Sequence, residues 1–254
     1  MQVQTGDKVG IGGFIVTGTG PKHLLLRAIG PSLTAQGVPD ALADPVLELH
    51  GPSPFGTITD DNWRDDPAQE TLIIASGVPP INDLESAIDA TLVPGNYTAI
   101  IRGNNNTLGV GLVELYDLSQ AAPAKLGNIS TRAFVSTGDN IVIGGFTLGG
   151  GDTNDRIAVR GIGPSLTAQG LPNPLADPVL ELRDGNGTLL VSNNDWQDDP
   201  QAAELLAAGL APANPLEAGI MTTLPPGPYT ALLSGLNNGT GIGLVEVYDR
   251  GAAP

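Results

Sequence analysis

The side chains most able to do chemistry form an acidic run, Asp60, Asp61, Asn62, Asp65 and Asp66, which returns later as Asn193, Asn194, Asp195, Asp198 and Asp199. Hydrolysis of glycosides needs two carboxylates facing each other across a cleft, whereas these sit together on one turn-rich loop beside a helix start. Clustered Asp and Asn oxygens suit Ca²⁺, which takes about six to eight hard oxygen ligands and tolerates irregular loops. The same residues serve equally as Asx turns and a helix N-cap. Calcium is the one cofactor this pattern suggests.

Other candidate chemistry is tested by an internal duplication. Gly6-Asp7 returns as Gly138-Asp139 and Tyr116-Asp117 as Tyr248-Asp249, an offset of 132 residues at both ends. Between them, RAIGPSLTAQG from Arg27 matches RGIGPSLTAQG from Arg160, and ALADPVLEL from Ala41 matches PLADPVLEL from Pro174. A catalytic site built once per domain should appear in both copies. The histidines, His23 and His50, align with Arg156 and Arg183, and Lys8, Lys22 and Lys125 have no repeated counterparts. No Ser/His/Asp arrangement, thiol or Schiff-base lysine is therefore repeated, and no enzyme is expected. What does repeat is Arg27/Arg160 with Glu48/Glu181 and Glu114/Glu246, all in alternating apolar runs. A guanidinium fork binds a carboxylate bidentately, so these six residues read as structural ion pairs inside each domain. One Trp per copy, Trp63 and Trp196, lies beside the acidic loop and reads as an anchor for it, with a sugar platform as the alternative.

The elements that must position these groups are strands. Of 254 residues 35 are Gly and 22 Pro, 41% are hydrophobic and 4% aromatic, a composition too broken for a helical bundle and too apolar for disorder. Runs such as Val9–Val16, Leu24–Ile29, Val46–Leu49, Tyr97–Arg102 and Val110–Tyr116 are separated by Gly, Pro, Asn and Asp. Turn groups such as Asp184-Gly185-Asn186-Gly187 and Gly103-Asn104-Asn105-Asn106 supply positive φ angles. Glycine clusters, including Gly149-Gly150-Gly151-Asp152, lack the Lys-Ser/Thr that completes a phosphate loop. One helix interrupts each copy: Asp66 caps, Pro67 opens, Leu72–Ala75 packs and Gly77 closes, and Asp199, Pro200 and Gly209 repeat the scheme. The expectation is an all-β protein of two tandem homologous antiparallel β-sandwich, jelly-roll-like domains, each with one short helix, over residues 1–120 and 121–254. With 11 basic and 27 acidic residues the net charge is −16, which repels nucleic acid, and no run has the roughly 20 apolar residues a membrane helix needs.

The combination of IGGF (Ile11–Phe14, Ile143–Phe146), RAIGPSL, LADPVLEL, DNW (Asp61–Trp63) and VPGNYT or PPGPYT resembles a repeated module of large secreted proteins of environmental bacteria. That module is similar to sandwiches of the pre-peptidase C-terminal type, through the DGNGTLL turn from Asp184, the Asn/Asp loop from Asn193 to Asp195 and the PxGxYT strand from Pro226 to Thr230. The resemblance implies an extracellular or cell-surface, non-catalytic role; no export signal is seen at Met1–Gly6.

Copy two is preceded by Leu126–Val135, in which Ile129, Ala133 and Val135 alternate as in a strand, with Phe134 between. Its counterpart in copy one falls ahead of Met1, leaving Val3 and Gln2. Two expectations follow, a fragment of a longer repeat protein or a sandwich that accepts its first strand from a neighbour. Head-to-tail repetition of such a contact gives an open filament. The expected function is an extracellular structural subunit of a filament or surface assembly; the alternative is an accessory module binding carbohydrate or a cell-surface protein through the two acidic loops.

Overall fold

The computed structural model describes residues 1–149 and 153–252. The chain divides into two compact units, Met1–Gly127 and Asn128 onward, both all-β with antiparallel sheets. In the first, β1 (Gln2–Val3), β2 (Gly10–Gly18), β3 (Lys22–Ile29), β4 (Pro45–His50) and β5 (Ile58–Asp60) precede a helix, α1 (Pro67–Ala75). Then come β6 (Ser86–Leu92), β7 (Gly95–Gly103), β8 (Gly109–Val110) and β9 (Leu112–Asp117). The strand β10 (Ala124–Val135) follows, and the second unit continues through β11 (Val142–Leu148), β12 (Asp155–Ile162), β13 (Pro178–Asp184), β14 (Leu189–Asn193), α2 (Ala202–Ala207), β15 (Ala218–Leu224), β16 (Gly227–Gly235) and β17 (Gly241–Ala252). The glycine cluster from Gly149 to Asp152 lies largely outside the described residues. No helix among the described residues is long and apolar enough to cross a membrane.

In the first unit one sheet has the order β2-β7-β4-β5 and the other β6-β3-β9. In the second they are β11-β16-β13-β14 and β15-β12-β17-β10. Period-two alternation explains the layers. Along β3, Leu24, Leu26 and Ala28 are buried on one face, while Leu25 on the other packs with Trp63, Ile73 and Ala87 under α1. In the second unit Ile157 and Val159 take the first face, and Ala158 packs with Leu205 and Met221 on the second.

The repeated IGPSL segment is a 3₁₀ turn, Pro31–Gln36 and Pro164–Gln169. Its leading glycine is a packing requirement, since a Cβ on Gly30 would stand 2.1 Å from the Leu42 carbonyl oxygen and one on Gly163 2.2 Å from that of Leu175. The turn is held from the other side by a carboxylate. Glu85, fully buried, accepts from Gly30 N at 3.2 Å, Ser32 N at 3.0 Å and Asn82 N at 3.3 Å, and from the Ser32 hydroxyl. Glu217 does the same with Gly163, Ser165 and Asn214.

Several expectations need correction. The expected strand Val110–Tyr116 breaks at Gly111, leaving β8 and β9, because the ladder with β1 covers only Gly109 and Val110 and that with β3 begins at Leu112, Gly111 exchanging its bonds with Met1 between them. The boundary falls after Gly127 and not at residue 120: Thr19 N donates to Pro123 O at 2.9 Å and Thr17 Oγ1 to Lys125 O at 3.4 Å, tying the start of β10 to β2. Asp66 does cap α1, accepting from Ala68 N at 2.8 Å, but Asp199 does not cap α2. Asp199 is 7% exposed, accepts from Gln201 N at 2.7 Å and from the Met221 backbone, and so lies outside the shorter second helix with Pro200.

Candidate functional site

The acidic loops are largely consumed by their own backbone. Asp60 Oδ2 accepts from Ala87 N at 2.8 Å, and its counterpart Asn193 Oδ1 accepts from Gly219 N at the same distance. Asp65 accepts from Asn62 Nδ2 at 3.1 Å, and Asn193 Nδ2 donates to Asp195 O at 2.9 Å. Asp198 closes a 3₁₀ turn through its backbone N–H to Asp195 O. What remains is a matched set of buried oxygens without hydrogen-bond partners: Asp44 Oδ1, Asp61 Oδ1 and Asn62 Oδ1 in the first unit, Asp177 Oδ1, Asn194 Oδ1 and Asp195 Oδ1 in the second. Asp44 and Asp177 were not among the candidate ligands, although the repeated LADP segment carries both.

Crowding shows in the acidities. Burial first, then the neighbouring Asp65, Asp61 and Asp66, pushes the Asp60 carboxyl up to about 6 against the pull of its Ala87 bond. Burial and Asp44 raise that of Asp61, and burial and Asp195 raise that of Asp177. In the first unit Asn104 Nδ2 relieves the pair, donating to Asp44 Oδ2 at 3.0 Å and Asp61 Oδ2 at 3.3 Å; Leu236 holds that position in the second. A hard cation would use these three oxygens per unit, well short of the usual calcium ligand count. Among the described residues no group of three or more His, Cys, Asp or Glu side chains is gathered to hold an ion.

The ion pairs sort themselves by sheet. Arg27 Nε meets Glu114 Oε2 at 2.9 Å, Nη2 donates to Tyr116 Oη at 2.9 Å and Nη1 to Val78 O at 2.7 Å, with Tyr116 Oη donating to Glu114 Oε1. Arg160, Glu246 and Tyr248 repeat this, with 2.9 Å from Nε to Oε2, and burial followed by Glu246 pushes the Tyr248 hydroxyl up to about 12. Glu48 and Glu181 do not join these clusters; they pair with Arg102 at 2.8 Å and Arg183 at 3.0 Å on the other sheet. The forks of Arg27 and Arg160 are filled by protein groups, which leaves neither free to grip a substrate anion. Lys22, 1% exposed, ends on Asp117 at 2.7 Å. Trp63 is 1% exposed, donates to Asn82 O at 3.1 Å and carries Arg64 over its ring at 4.0 Å, so it presents no sugar platform. Trp196 is half-buried with its Nε1 unpartnered.

The strand from Leu126 to Val135 sets the two units apart. In the second unit β10 pairs antiparallel with β17 from Val135↔Gly241 through Asn128↔Tyr248. Ala133 and Val135 are buried there, as are Val245 and Val247; Asn128 is buried too and its Nδ2 donates to Val247 O at 3.0 Å, whereas Ile129, expected to pack, is half-buried. Phe134 sits against the cluster of Ile162, Leu166 and Ile242, and Leu126 is half-buried on the first unit's side of the boundary. In the first unit the same register survives only as Val3↔Gly109 and Gln2↔Val110, extended by reciprocal bonds of 3.0 Å between Met1 and Gly111. Beyond that point β9 is paired, among the described residues, with β3 alone. Leu112 is 39% exposed, and Val113 and Leu115, the counterparts of Val245 and Val247, are only half-buried.

No family model matches the chain, and no curated protein matches it. Among solved structures it is similar, at 12% identity in each case, to a chain of the atomic structure of Sulfolobus Turreted Icosahedral Virus and to the STIV MCP. The matches cover 98% of this chain and 85% and 87% of those chains, with TM-scores of 0.26 and 0.27, a likeness too slight to bear on this protein's role.

Proposed function

We propose that this protein is a non-enzymatic extracellular structural module, a subunit of a filament or surface assembly built by strand donation between neighbouring units. The observation that carries the reading is the contrast between β17, covered by a partner strand along Gly241–Tyr248, and β9, which pairs on one side only over Leu112–Asp117. An unpaired edge with apolar side chains is a template for another chain. The saturation of Arg27 and Arg160 by Glu114, Glu246 and two tyrosines supports a structural over a substrate-binding use. The test is negative-stain electron microscopy with light scattering on the purified chain over a wide concentration range. Regular beaded fibres are expected; dispersed two-lobed particles that remain monomeric at every concentration would overturn the reading.

A further inference from the structure

We infer that the edge of β9 accepts one kind of strand: an antiparallel segment with the character of Gly127–Arg132, carried by another repeat of this type. The inference rests on the strand-donation reading and adds the edge, the register and the side chains.

The second unit supplies the template. There Arg132, Thr131, Ser130, Ile129 and Asn128 lie opposite Leu244, Val245, Glu246, Val247 and Tyr248. Leu112, Val113, Glu114, Leu115 and Tyr116 hold the same places in the first unit, and β3 pairs with them (Arg27↔Glu114) as β12 pairs with β17 (Arg160↔Glu246). The acceptor surface is therefore already in its filled-state register, and a donor laid along it places an Ile over Leu115 and a Thr over Val113. Directly opposed residues of an antiparallel pair share a face, so these two donor side chains are the ones that close the core. The edge continues a pairing already made, since Met1 to Val3 occupy the stretch from Gly111 to Gly109. Leu112–Asp117 reads LVELYD, with no Lys and no Pro to guard the edge, and its two charges, Glu114 and Asp117, are paired with Arg27 and Lys22. Charge also suits, because Ala124–Val135 contains Lys125 and Arg132 and no acidic residue, in a chain of net charge −16.

Two measurements test it on the full chain. The first adds a peptide of Lys125–Arg132 sequence and follows amide hydrogen exchange. Slowed exchange at Leu112–Asp117 is expected, with about tenfold or greater weakening when the peptide carries Thr131→Asp. The second places the same eight residues directly ahead of Met1, which sets Arg opposite Leu112 and Ile opposite Leu115; this variant is expected to protect β9 by itself and to lose peptide binding and assembly. No change at β9 with either would overturn the acceptor, as would an edge-to-edge dimer that the peptide cannot disperse. Fibres that persist when the added strand fills β9 overturn the role of that edge in assembly and leave the filament standing. Peptide capture by a chain that never assembles overturns the filament and leaves the acceptor.

Discussion

Val245 and Val247 are 1% and 5% exposed beneath Asn128–Val135, while Val113 and Leu115, at the same register against the neighbouring strand, are half-buried on a one-sided edge. The two strands read GLVEVYD and GLVELYD, so residue type does not account for the difference. Burial of a strand's inner face depends on both flanking partners. The acidic loops differ in both senses: Asn104 bridges Asp44 and Asp61 in the first unit where Leu236 stands beside Asp177 in the second, whereas the crowded Asp60 of the first unit is replaced by Asn193 in the second. The first unit thus carries the one-sided β9 and the crowded Asp60, and the second an Asp177 with no amide at the position of Asn104.

The largest effect should ignore this asymmetry. Glu85→Ala and Glu217→Ala each strand three backbone N–H groups around a buried carboxylate, and each is expected to cost about 4 kcal/mol in its own unit. Calorimetry showing a loss in only one variant would mean that the turns are not equivalent. Next, Val245→Ala is expected to cost about 2–3 kcal/mol and Val113→Ala about 1 kcal/mol, because the cavity opens under a covering strand in one case and at an edge in the other. Denaturant unfolding of both variants, repeated with the eight-residue strand added ahead of Met1, should bring the second value up to the first.

The carboxyl at Asp60 gives a pH signature. It keeps its proton up to about pH 6 when folded, against an ordinary value of 3.8, so the folded state binds more protons in that window and stability falls as pH rises through it. Asp60→Asn retains an acceptor for Ala87 N–H and copies Asn193. It should lessen the fall in stability between those pH values, to which the raised Asp61 and Asp177 also contribute, and add about 1 kcal/mol at pH 7, discounted for solvent screening. A slope that the substitution leaves unchanged in thermal melts across that range would place the titration elsewhere. Smallest is Leu236→Asn, which sets an amide beside Asp177 as Asn104 stands beside Asp44. About 0.5 kcal/mol of added stability in the second unit is expected from chemical denaturation, and a loss would mean that Leu236 matters more for its apolar cover.

Local signals were legible because they act over a few residues. Alternation set the strands, Asp66-Pro67 and Gly77 marked α1, and the offset of 132 marked two like units. Arg27 and Arg160 could be assigned carboxylate partners by type, but the choice of Glu114 and Glu246 over Glu48 and Glu181 depended on which strands share a sheet. Glu85 and Glu217 escaped notice because a glutamate between Leu and a small residue reads as exposed; only folding brings the turns at Gly30 and Gly163 onto them from more than fifty residues away. Asp44 and Asp177 joined the acidic loops in the same way. The sequence by itself determined the strand pattern, the duplication and the acidic character, all of which are properties of neighbours along the chain or of sums over it. The tertiary structure alone decided which oxygens are left unpartnered, where the boundary falls and that β9 pairs on one side only, because each depends on contacts between segments far apart in the chain.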